Sequence, residues 1–75
     1  MDVKTQLGMR IAYLRKQKGM SQLDLALESG VNRNYISDLE NGRRNPSVDI
    51  LEKIALALDI TLEFLFKGIV DVPGL

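Results

Sequence analysis

Between Gln22 and Leu39 the sequence leaves room for two short helices and almost nothing between them. Ser21 and Asp24 open the first, because a hydroxyl at the N-cap and a carboxylate three residues on both favour the positive end of a helix. Leu25 and Ala26 face inward, and the segment ends at Ser29-Gly30. Asn32 caps the next helix, which runs from Arg33 to about Glu40 and stops at Asn41-Gly42, where glycine supplies a left-handed cap. Ala26 is small enough for close approach, and Gly30 adopts the positive φ of a tight turn at no steric cost. Val31, Ile36 and Leu39 then lock the second helix onto its surroundings. One small residue at any of these offsets means little. Ala26, Gly30, Val31 and Ile36 together, with helices before and after, constrain the chain to a tightly connected helix pair.

The flanking segments fit the same all-α plan. Leu7, Ile11 and Leu14 form the inner stripe of a first helix over about residues 4–18, with Arg10, Arg15, Lys16 and Lys18 at or beside its edges. Pro46-Ser47 introduces a fourth helix, 48–58, striped by Ile50, Leu51, Ile54 and Leu58. Thr61 caps a short fifth helix, 62–66. No segment shows the sustained alternation of a half-buried strand, and Ile69-Val70-Asp71-Val72 is too short to make a sheet alone. Residues 1–75 read as one five-helix domain, small enough that burial within a single chain is limited.

Several kinds of chemistry are excluded. There is no cysteine, hence no disulfide or thiolate metal site, and no histidine, the commonest zinc ligand and general base. The carboxylates fall on helix surfaces and caps, and no glycine-rich phosphate loop is present. The expectation is a protein that is not an enzyme and takes no metal or cofactor. No apolar run reaches the ~18 residues of a membrane span. Met1–Thr5 lacks a signal-peptide core, so a cytoplasmic location with no membrane contact is expected. The formal charge is zero but unevenly spread. Residues 1–45 hold eight lysines and arginines against five acids, and residues 46–75 hold two against five. The first part suits phosphate, although the same counts fit ordinary surface scatter.

The run Lys18-Gly19-Met20-Ser21-Gln22, then Leu25-Ala26, Gly30-Val31, Ile36-Ser37, Glu40-Asn41-Gly42, Pro46, Ile54-Ala55 and Ala57-Leu58, resembles the phage-repressor and Cro-like (XRE-type) helix-turn-helix family. The resemblance covers roughly residues 7–66 and implies a lambda-repressor-like five-helix domain, with its helix-turn-helix at about 22–41 and its third helix in the DNA major groove. Asn34-Tyr35-Ile36-Ser37 followed by Arg43-Arg44-Asn45-Pro46-Ser47 is similar to the controller proteins of restriction–modification systems. Those are dimeric regulators that bind operator DNA upstream of their own and the endonuclease genes. The resemblance thus implies double-stranded DNA as partner, with RNA polymerase as a further one, and either activation or repression.

Individual side chains refine this. Arg33, Asn34 and Ser37 lie at the start and outer face of the third helix, where base contacts fall in the family. Arginine suits guanine O6/N7 and asparagine suits adenine N6/N7. Gln22 begins the second helix, where exposed amides favour a phosphate. Arg43, Arg44, Asn45 and Ser47 surround the start of the fourth helix and suit a second phosphate. Tyr35 is either a backbone contact or a half-buried packing residue. Asp38 repels phosphate unless it accepts from cytosine N4 or pairs with an arginine, and pairing or simple exposure is the favoured reading. Arg15 and Glu40 match family positions that often form a buried ion pair.

Residues 60–75 carry more apolar surface than a five-helix core obviously consumes, including both phenylalanines. Ile60, Leu62, Phe64 and Phe66 are therefore expected in a homodimer interface within a dimerisation region at about 48–75, unless the tail merely covers the fifth helix. Two reading helices about 34 Å apart would require a pseudo-palindromic operator. The alternatives are a phage-type repressor or antitoxin of the same fold, or a protein-interaction module that uses the fold without DNA.

Overall fold

Among the described residues every helix begins at a residue whose side-chain oxygen accepts a hydrogen bond from the backbone N–H groups of the first turn, donors the helix itself leaves unsatisfied. In the computed structural model, which describes residues 2–70, these caps are Asp2, Ser21, Asn32, Ser47 and Thr61. They start α1 (Val3–Gln17), α2 (Gln22–Ser29), α3 (Arg33–Glu40), α4 (Val48–Ala57) and α5 (Leu62–Leu65). Among the described residues there is no strand, and the all-α, five-helix expectation holds. Ser21 and Asp24 form a reciprocal capping box, with Ser21 Oγ accepting from Asp24 N–H and the Asp24 carboxylate accepting from Ser21 N–H. Those bonds to Ser21, the backbone one foremost, hold the Asp24 carboxyl below its usual pKa, as bonds from Thr5 do for Asp2.

α1 packs on α3, α2 on α3 and α4, and α4 on α5. Ile11, Leu25, Ile36, Leu39, Ile54, Leu58 and Leu65 are sealed from solvent at the centre. Ala26, Ile50 and Ile60 are partly buried against that cluster. The turn between α2 and α3 runs through Gly30 at φ +73°, as the tight connection requires. Gly42, just past α3, also lies in the left-handed region.

Two features fix α1 against the rest. Gly8 lies where α1 meets the end of α3: a Cβ there would fall 2.3 Å from the Leu39 carbonyl oxygen and 2.7 Å from that of Glu40. Arg10 reaches α5, donating from Nη2 to the Phe64 carbonyl at 2.8 Å and from Nε to the Leu65 carbonyl at 3.3 Å. Both are carbonyls of the last turn, and that of Phe64 also accepts from Lys67 N–H at 3.1 Å. No helix among the described residues is long and apolar enough to cross a membrane.

Candidate DNA interface

The inner face of α3 is anchored and its outer face is open. On the inner side Arg15 donates from Nε to Glu40 Oε2 at 2.7 Å and from Nη2 to Oε1 at 2.9 Å, a two-pronged pair whose side chains are 9% and 6% exposed. Nη1 donates to the Met20 carbonyl at 2.8 Å, so the guanidinium also ties down the connection into α2. The bond to Glu40 raises the Arg15 pKa above its usual value against the opposing effect of burial. The buried pair implied by the family resemblance is present.

Gln22 joins the same group. Its Nε2 donates to Glu40 Oε1 at 3.1 Å, a contact invisible in the sequence because 18 positions separate the two. The amide at the start of α2 is thereby oriented by the ion pair.

On the outer side Arg33 and Asn34 are exposed, and neither side chain is engaged in a hydrogen bond or ion pair among the described residues. Ser37 is half-buried one turn on. Tyr35 is half-buried against the core cluster, with the Arg44 guanidinium 4.9 Å from its ring centroid. The packing reading of Tyr35 describes these surroundings. Asp38 pairs with Arg44 at 3.3 Å and with Arg43 at 3.8 Å. Asn45 and Ser47 are exposed beside them, with Ser47 Oγ accepting from Ile50 N–H as the α4 cap. Gln22, the outer face of α3 and the 43–47 segment thus carry amides, hydroxyls and arginines, compensated by one carboxylate.

The expected dimer residues are less uniform. Leu62, Phe64 and Phe66 are exposed, whereas Ile60 leans into the core. The Phe64 ring has Arg10 at 4.8 Å and Lys67 at 5.7 Å, so it is presented between two cations. Residues 71–75 of the expected dimerisation region lie outside the described residues. Val48 and Leu56 on α4 are also exposed apolar residues, which the stripe of the sequence did not mark.

A short helix held from behind and offering an arginine and an amide outward defines a helix-turn-helix DNA-binding domain. The family model described as helix-turn-helix matches residues 11–65, and the chain belongs to the helix-turn-helix family of transcriptional regulators. The control protein C.MunI of a Mycoplasma species is 44% identical over 69 residues, covering 91% of this chain and 93% of the relative. The crystal structure of the restriction-modification controller protein C.AhdI from Aeromonas hydrophila superposes with a TM-score of 0.81 at 44% identity, over 83% of this chain and 94% of that one. The controller protein C.Esp1396I, solved as a tetramer in complex with its natural 35 base-pair operator, matches with a TM-score of 0.81 at 33% identity, over 95% of this chain and 99% of that one.

Proposed function

We propose that this regulator is a restriction–modification controller protein that binds a pseudo-palindromic operator as a homodimer. Arg33, Asn34 and Ser37 read base edges, while Gln22, Tyr35, Arg43, Arg44, Asn45 and Ser47 hold the backbone. The single domain divides into a reading part at about 22–41 and a dimerisation part at about 48–75, with Leu62, Phe64 and Phe66 at the two-fold and Ile60 beneath them. The protein works in the cytoplasm, without catalysis, and acts on transcription by its position relative to RNA polymerase. The observation that carries this reading is the pair of exposed, unengaged side chains Arg33 and Asn34 at the start of a helix whose opposite face is buried and ion-paired. Similarity to controller proteins over almost the whole chain supports it. Selection of bound duplexes from a random pool should enrich a two-fold symmetric sequence. Sedimentation should show a dimer at tens of micromolar protein that Phe64→Glu and Phe66→Glu dissociate. A monomer that enriches no sequence refutes the reading.

A further inference from the structure

Asp38 stands one turn beyond Asn34, on the row of α3 that carries the base contacts proposed above. Its carboxylate holds Arg44 at 3.3 Å and Arg43 at 3.8 Å, and its main-chain carbonyl accepts from Arg43 N–H at 2.9 Å. The stack of Arg44 on Tyr35 keeps that guanidinium over the same face. Both arginines assigned to phosphate therefore lie, in the free protein, against one carboxylate on the reading helix, Arg44 hydrogen-bonded to it and Arg43 in a longer charge contact.

Transfer of the arginines to phosphate would leave that carboxylate uncompensated in a groove of negative potential. It then needs a hydrogen-bond donor. In the major groove cytosine offers its N4 amine, whereas adenine sets its N6 amine beside the N7 acceptor, which repels a carboxylate. We propose that Asp38 exchanges partners on the operator, giving Arg43 and Arg44 to phosphates and accepting from a cytosine N4 amine, which makes it a specificity-determining residue. On DNA without cytosine at that place, Asp38 keeps its arginines and the complex has fewer phosphate contacts. The inference rests on the DNA-binding reading. Four residues of helix span about 6 Å, so the cytosine lies about two base pairs, at 3.4 Å each, from the one read by Asn34.

Selection from a random pool tests this on the wild-type chain alone. The expected result is cytosine at one position per half-site, with a change of that C·G pair to T·A weakening binding about fivefold or more. Asp38→Asn should abolish that preference, bind random duplex several-fold more tightly, and steepen the salt dependence by up to about two units per protomer, one for each arginine released. An enriched operator with no cytosine at any such position overturns the exchange while leaving DNA binding intact. So does an Asp38→Asn variant that keeps the preference. Enrichment of no sequence at all overturns both.

Discussion

α3 carries an acidic residue on each side, and arginine meets the two in opposite settings. Glu40 faces inward, and its pair with Arg15 is sealed, two-pronged and shared with Gln22. Asp38 faces outward, with a side chain 34% exposed and arginines that are 49% and 70% exposed. Coulomb attraction between the same groups is weak in water and strong where water is excluded, and the desolvation cost rises in step. The inner pair is consequently a structural unit in which each partner requires the other. The outer pairs are exposed and long, which suits the exchange proposed above.

The largest effect should come from breaking the inner pair. Arg15→Ala or Glu40→Ala should each destabilise by about 3–5 kcal/mol in urea unfolding, because each strands a buried charge. The double variant should lose less than the sum of the two. If either single change costs under about 1 kcal/mol, the inner pair behaves as a surface pair and the contrast collapses. The next effect belongs to the outer face. Arg33→Ala should leave the unfolding midpoint unchanged while removing about 1–3 kcal/mol of discrimination at one base pair per half-site. Arg43→Ala should weaken operator binding and lower its salt slope by about one unit per lost phosphate contact, with a smaller loss on duplexes that lack the cytosine, where Asp38 keeps the arginine. An Arg33→Ala variant that keeps the base preference would move base reading away from α3. Smaller still, Arg44→Ala should change stability by at most about 1 kcal/mol, since exposed ion pairs contribute little.

The smallest effect is set by pH. Asp2 and Asp24 have pKa values lowered in the folded chain, so their contribution is complete above the ordinary carboxylate range and is lost as pH falls through the folded values. Urea midpoints measured from pH 7 down to pH 2 should fall in acid, and Ser21→Ala should flatten that fall. An identical slope in the variant would remove the capping box as a source of acid sensitivity.

The starts of α2 to α5 were legible because capping is local: Ser21, Asn32, Ser47 and Thr61 each bond within three residues. The inner ion pair was legible only through resemblance, since 25 residues separate its members. What stayed hidden involves groups that meet through the fold. Arg10 reads as an edge charge of α1, yet it caps α5 from 54 and 55 residues away. Gln22 reads as a phosphate ligand alone, and its bond to Glu40 exists only once α2 and α3 have crossed. Leu65 sits in an apolar cluster where the sequence offers no way to tell the inward residue from exposed Phe64 and Phe66. Gly8 inside a helix looks like a weakness in propensity, and only the crossing shows what it admits.

That crossing has a consequence for how such a protein diversifies. At Gly8 the main chains of α1 and α3 meet with no side chain interposed, so at that point α3 is seated backbone against backbone. Residues on the far side of α3 take no part in that seat. Arg33 and Asn34 are therefore replaceable parts on a fixed mount. On the reading proposed above, a lineage can rewrite its recognition alphabet there without renegotiating its architecture, whereas a single methyl group added at Gly8 would tilt every letter at once.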